Sequence, residues 1–333
     1  MFNLVQYRRW FYLFSGLIIL AGIIAMGISI SQYPERSIVR LGIDFTGGSL
    51  FEVRLTNTEG ATQTPIEGSD ISKQFTDAGM QDVRVQRIVG TDASQDRFQV
   101  RTNFVAQNGE LFKQISDKIN TLATEHGYNF DAAYFQTNQQ SVSPAIGGEV
   151  TIAAVIATAA ASLLVLGFIA LAFRQVTHSF RYGSTAVIAM IHDVLVMVGV
   201  FSILGLILGW EADALFLTGL LTVVGYSVQD TIVVFDRIRE NSQRHRGEPF
   251  ELIVNRSVTE TIQRSITTQI CVAFVLLALV LMGSGAIRQF VGILLIGLLS
   301  GAYSSIGIAI PLLVSWERGE IPFLNQGAKA KTA

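Results

Sequence analysis

The stretch Gly225-Tyr226-Ser227-Val228-Gln229-Asp230-Thr231-Ile232-Val233-Val234-Phe235-Asp236-Arg237-Ile238-Arg239-Glu240-Asn241 carries a carboxylate, Asp230, inside an apolar run that starts at Ala214 and turns charged at Asp236-Arg237. A helix crosses the bilayer hydrocarbon with about 20 apolar residues, so 214–235 reads as a membrane span. Asp230 then lies about four residues, roughly 6–9 Å, from the charged mouth of that span. An ionisable group at membrane depth costs about 2.5–3.5 kcal/mol or more to insert and is a functional candidate by default.

Five further apolar runs, at 11–31, 150–173, 184–208, 266–282 and 290–314, bring the count to six spans in the 333 residues. Half of the residues are hydrophobic and 15% are charged, against about 25% charged in a soluble domain. The expected division is a cytoplasmic N-terminus and first span (1–31), an outer soluble domain (32–149), five spans (150–314) and a cytoplasmic tail (315–333). The first run follows Arg8-Arg9 as a signal peptide would. It is too long for an h-region and has no A-x-A exit, so an uncleaved anchor is expected.

Charge sets the orientation. With the N-terminus inside, the inner segments hold 13 of the 24 Lys and Arg and the short outer loops hold only Arg288. The other ten lie in 32–149, too long a segment to count in the positive-inside rule. Both termini are therefore expected in the cytoplasm.

Several function classes fall away. A net charge of −2 leaves no basic face for nucleic acid. The single Cys271 allows no intrachain disulfide or thiolate cluster. No phosphate-binding G-x-x-x-x-G-K-[ST] loop and no H-E-x-x-H occurs, so energy must come from a partner or an ion gradient. No cofactor and no metal are expected, and His126 reads as a surface residue at a helix end.

Segment 32–149 reads as strand 50–55, helix 69–78 with Ser69 as N-cap, strands 82–89 and 97–102, helix 110–126 stopped by Gly127, and strand 129–136. The order βαββαβ is that of an α+β ferredoxin-like sandwich. The flanking pairs Gly47-Gly48 and Gly147-Gly148 are candidate flexible joints.

Within the membrane, Asp193, preceded by His192, sits ten residues into the third span. The pair suits a proton-relay station or a structural hydrogen bond equally well. Adjacent helical residues point about 100° apart, so the two are not expected to share one partner. Arg264 opens the fifth span, with Ser265, Thr267, Thr268 and Gln269 extending polarity two turns further. Arg264 and Thr268 share a face. If that face meets Asp230, an ion pair whose making and breaking changes proton affinity follows. Tyr226 and Ser227 are expected in the same polar layer. Gly297, Gly301, Ser305 and Ala309 form a small-residue stripe on the last span, and Ala153, Ala157 and Ala161 one on the second, for close packing within this chain or against another.

The 225–241 stretch resembles the signature of the SecF family, the export-membrane half of the bacterial SecDF pair. Gly42-Ile43-Asp44-Phe45-Thr46-Gly47-Gly48, Val142-Ser143-Pro144-Ala145-Ile146-Gly147 and His192-Asp193 carry the likeness across the chain. One departure is Gln229, where many members have Asn. The resemblance implies half of a pseudo-symmetric unit of the resistance-nodulation-division (RND) superfamily, completed to twelve spans by SecD in the bacterial inner membrane. It implies that protein translocation through the SecYEG channel, with YajC and YidC as further companions, is driven by the proton or sodium motive force acting on preproteins. It further implies ion coupling at Asp230, Arg264 and Thr268, with another Asp from SecD. A small-molecule exporter subunit, a passive scaffold of the channel and an intramembrane hydrolase built on Asp193 and Asp230 are the competing classes.

Overall fold

The computed structural model describes residues 4–58, 62–88, 95–106, 109–174, 179–283 and 285–320. The chain divides into two compact units, one of Met1–Arg40 with Ile156–Ala333, the other Leu41–Val155. Among the described residues, six helices of 25 to 33 residues are long and apolar enough to cross a membrane. At 1.5 Å per residue each reaches at least about 37 Å, beyond the roughly 30 Å of hydrocarbon.

In chain order the elements are α1 (Arg8–Gln32), a short α2 (Ile43–Thr46), β1 (Gly48–Asn57), α3 (Gly68–Asp77), β2 (Arg84–Ile88), β3 (Gln95–Thr102), α4 (Glu110–Glu125), β4 (Tyr128–Phe130), α5 (Ala132–Thr137) and β5 (Gln140–Val142). The helices α6 (Pro144–Phe173), α7 (Ser179–Leu208), α8 (Ala214–Arg244), α9 (Phe250–Met282) and α10 (Gly285–Ser304) follow. A π-helical turn over Ser305–Ala309 then leads into α11 (Ile310–Glu317), and these together complete the sixth span.

The sheet of the second unit runs β2-β3-β1-β4, with β5 also on β1, and every pairing is antiparallel. Strand alternation sorts its residues. Phe51, Val53 and Leu55 of β1 are fully buried, while Glu52 and Arg54 between them face the other way. The buried face meets Ile71 and Phe75 of α3 and Phe112, Ile115 and Ile119 of α4 in one core. Stacked rings pin its centre, with Phe51 to Phe135 at 5.2 Å and Phe112 to Phe135 at 5.3 Å.

Three readings of this unit need correction. The strand expected at 129–136 stops at Phe130, because the Asp131 carboxylate accepts the Tyr134 N–H at 2.9 Å and starts α5, which carries Phe135 into the core. The chain then returns as β5 beside Ser49, a strand the sequence did not announce. Ser69 is not the N-cap of α3. Glu67 holds that position, and its N–H donates to the Asp70 carboxylate at 2.9 Å. The strand read as 82–89 spans 84–88, and residue 89 lies outside the described residues.

In the membrane unit α7 is the central helix, with α1, α8 and α10 packed on it. A Cβ added to Gly22 of α1 would stand 2.9 Å from the Gly199 Cα of α7, so the two backbones touch, and Ser29 and Ser202 share a buried hydrogen bond of 2.8 Å. By contrast, α6 and the apolar half of α9 bury few of their residues, and Ala153 and Ala157 are exposed. The first 16 residues of α9 precede the apolar run and mix polar and apolar side chains, with Ile253, Val254 and Val258 buried. They are held to the end of α8 by Asn241, which donates to Ser257 Oγ at 3.0 Å and to Glu260 at 2.8 Å. The tail beyond residue 320, with Lys329 and Lys331, lies outside the described residues.

Candidate functional site

The two membrane carboxylates occupy different surroundings. Asp193, on α7, is 1% exposed and fully surrounded by donors. Its Oδ1 accepts from Ser300 Oγ at 2.6 Å and from His192 Nδ1 at 3.1 Å. Its Oδ2 accepts from Ser227 Oγ at 2.5 Å and Ser304 Oγ at 2.6 Å. An ionised carboxylate offers about four lone-pair sites, and here each is used. The three serines come from α8 and α10, so one buried carboxyl group ties three helices together.

This arrangement departs from the sequence reading in two ways. His192 and Asp193, expected to point apart, bond to each other. Ser227, expected in the polar layer of Asp230, serves Asp193 instead. Ser300 and Ser304 were missed, since a serine in an apolar span is ordinary. The available signal was their four-residue spacing on the span of the small-residue stripe, one face round from Gly297 and Gly301.

Asp230 is half-buried on α8, and the Gln269 side-chain amide of α9 donates to its Oδ2. The other atom of that amide, Gln269 Oε1, is buried without a hydrogen-bond partner among the described residues. Arg264 does not occupy the place foreseen for it. It is exposed, and no ion pair with Asp230 forms among the described residues. Arg264 and Gln269 are five residues apart, about 140° around the helix, so turning Gln269 to α8 turns Arg264 away. Thr268 is exposed as well, and its hydroxyl donates to the Arg264 carbonyl of its own helix at 2.6 Å. No group of three or more His, Cys, Asp or Glu fit to hold a metal occurs among the described residues.

The glycines serve approach. A Cβ on Gly297 would lie 2.6 Å from Val223 Cγ1 and 2.8 Å from Met197 Sδ, and one on Gly301 3.3 Å from the Ser227 Cα. Those two positions let α10 close on α7 and α8. Gly225 has open space on its Cβ side, and Tyr226 beside it is exposed. In the other unit Gly47 and Gly48 have φ of +74° and +123°, conformations that favour glycine. A Cβ on Gly147 would stand 2.8 Å from the Gly47 nitrogen and 3.0 Å from the Phe45 carbonyl oxygen, while Gly148 meets nothing. The segment 42–48 and the start of α6 are thus in backbone contact.

The family described as "Protein export membrane protein SecD/SecF, C-terminal" matches residues 123–319, and the SecD/SecF GG motif matches residues 39–59. The protein translocase subunit SecF of Thermobaculum terrenum is 43% identical over 319 residues, covering 95% of this chain and 94% of the relative. The same subunit of Anaerolinea thermophila is 42% identical across the full length of both. The crystal structure of SecDF, a translocon-associated membrane protein from Thermus thermophilus, superimposes with a TM-score of 0.71 at 25% identity, over 95% of this chain and 39% of that one. The protein translocase subunit SecDF of Bacillus subtilis is 29% identical over 94% of this chain and 38% of its own length. The chain therefore spans about two fifths of the SecDF proteins it matches, and its curated relatives are translocase subunits.

Proposed function

The chain belongs to the SecD/SecF family of protein-export membrane proteins, and from that premise we propose that it is the ion-coupled SecF half of a protein translocase, with Asp230 as the ion-binding carboxylate. One observation carries the reading. Asp230 is a carboxylate at membrane depth whose one recorded partner is a neutral amide, and that amide leaves a second oxygen, Gln269 Oε1, buried and unpartnered beside it. An acceptor-rich, uncompensated pair of this kind favours an incoming proton or sodium ion. Each charge that crosses the field releases about 2.3 kcal/mol per 100 mV, enough to bias a two-state helix arrangement severalfold.

SecD is the companion. The chain's match to only two fifths of SecDF supports this, as does the exposed Arg264, a cation that an acid from a partner chain would satisfy. Thr268 belongs to the same face. Together the two make one RND-type unit that acts at the SecYEG channel, with YajC and YidC alongside, and releases preproteins on the outer face of the inner membrane. The 32–149 segment is the outer domain, and both termini are cytoplasmic, as the distribution of Lys and Arg supports. We read that domain as ferredoxin-like, a reading supported by the βαββαβ order and the antiparallel β2-β3-β1-β4 sheet.

The test is Asp230→Asn in the assembled complex, in vesicles with an imposed ion gradient. Gradient-stimulated translocation is expected to be lost while gradient-independent translocation persists. Unchanged stimulation would refute the coupling role and favour a passive scaffold.

A further inference from the structure

The Asp230 site leaves the His192–Asp193 cluster unused, and its hydrogen bonds define a second role. Ser227, Ser300 and Ser304 each donate to Asp193 at 2.5–2.6 Å. The carboxylate is therefore acceptor to all its neighbours, and the His192 Nδ1 at 3.1 Å must carry the hydrogen between them. In the neutral ring that leaves the lone pair on Nε2. His192 is 6% exposed, and its Nε2 is buried with no hydrogen-bond partner among the described residues. With three hydroxyls and the His192 ring as its partners, the carboxylate has no Lys or Arg beside it among the described residues.

We propose that His192 Nε2 is a second proton-binding site of the membrane unit, separate from Asp230. Uptake forms one N–H bond at Nε2, keeps Nδ1–H on Asp193, and converts a buried anion into a neutral imidazolium–carboxylate pair. The groups around the ring leave this step to His192. Asp193 faces it from its own helix. From α10 comes Tyr303, with ring centroids 6.1 Å apart, and its hydroxyl is committed to the Phe11 carbonyl at 2.8 Å and to Ser15 at 3.0 Å on α1. On α8, Asp230 is bonded to Gln269, Arg237 is paired with Glu240 and Glu260, and Tyr226 is exposed; Arg264 of α9 is exposed as well. Because Asp193 also anchors α8 and α10, the change of charge is felt by three helices at once.

The chain has four histidines, which makes the test direct. In the full chain carrying His126→Gln, His178→Gln and His245→Gln, with 15N-labelled histidine and reconstituted in lipid nanodiscs, the ring nitrogens of His192 are followed by NMR from pH 9 to pH 5. Nδ1 is expected to be protonated throughout. Nε2 should pass from unprotonated to protonated, the ratio of forms changing about tenfold per pH unit around the midpoint, and should do so equally when Asp230→Asn is added. A Nε2 that stays in one state over the whole range, or a titration abolished by Asp230→Asn, overturns the proposal. The wild-type chain, compared with His192→Gln, gives the same reading if the triple variant fails to fold. Loss of the His192 titration with gradient coupling at Asp230 intact would remove this site alone.

Discussion

Replacing Gly297 with alanine tests the packing that holds α10 against its neighbours. The added Cβ would meet both methyls of Val223, Cγ1 at 2.6 Å, and the Met197 sulfur at 2.8 Å. Val223 is 2% exposed and Met197 1%, so neither has free space to retreat into. Overpacking of this kind costs about 1–3 kcal/mol, set against up to about 1 kcal/mol gained from the helix preference of alanine over glycine. Gly225→Ala supplies the control, since its Cβ meets nothing within 4 Å and it collects the preference without the clash. The difference between the two variants, about 1–3 kcal/mol, isolates the steric part. Thermal and denaturant unfolding of the full chain in detergent should place Gly297→Ala clearly below wild type and Gly225→Ala at or above it. Adding Val223→Ala removes the two methyls the new Cβ strikes, so the double variant should be more stable than the sum of the single changes by about 1 kcal/mol. Equal stabilities for Gly297→Ala and Gly225→Ala, or strict additivity with Val223→Ala, would refute the reasoning.

Gly147→Ala should destabilise the Leu41–Val155 unit by roughly 1–3 kcal/mol, because its Cβ would meet backbone atoms of Gly47 and Phe45, whereas Gly148→Ala, with open space at its Cβ, should leave stability unchanged or raise it by up to about 1 kcal/mol; limited proteolysis of the full chain reads both. A joint that needed only flexibility would respond to the two alike. Tyr134 donates to the Glu52 carboxylate at 2.6 Å, and its pKa is raised by burial and by that acceptor. Its neutral form therefore contributes stability that is complete below the unfolded value of about 10 and is lost as pH rises through the folded value. Melting temperatures from pH 8 to pH 11 should accordingly fall less steeply in Tyr134→Phe than in wild type.

The six spans were legible because hydropathy over 20 residues is a sum that single substitutions hardly disturb. The beginning of α9 was not. It is helical because Asn241 and Arg237 of α8 hold Ser257 and Glu260, a tertiary cause with no apolar run to announce it. In the Leu41–Val155 unit the helix over 110–125 and its stop at Gly127, with φ of +77°, followed from local chemistry. The turn at Asp131 followed from the need to bury Phe135, which no local pattern shows. The site divides in the same way. Carboxylates at membrane depth stand out by their cost, so Asp193 and Asp230 were both found. Which residue faces them depends on helix rotation, and five residues of spacing exchange Arg264 for Gln269.

The contact of Gly22 with Gly199 and the bond of Ser29 to Ser202 join the first span to the third, across the whole Leu41–Val155 unit in sequence. A chain that emerges N-terminus first must therefore hold α1 in lipid, alone, until α7 has been synthesised. Its 25 apolar-rich residues allow that wait, since the buried polar side chains it carries are two serines, Ser15 and Ser29, and a serine is cheap to keep in the bilayer. α6 enters between them, touching the membrane core only near its end, through Val165 and Ile169. Membrane biogenesis of this subunit is then a two-stage affair, in which independent insertion comes first and the α1–α7 crossing closes last, so a Gly199→Leu chain should insert with normal topology and fail at assembly.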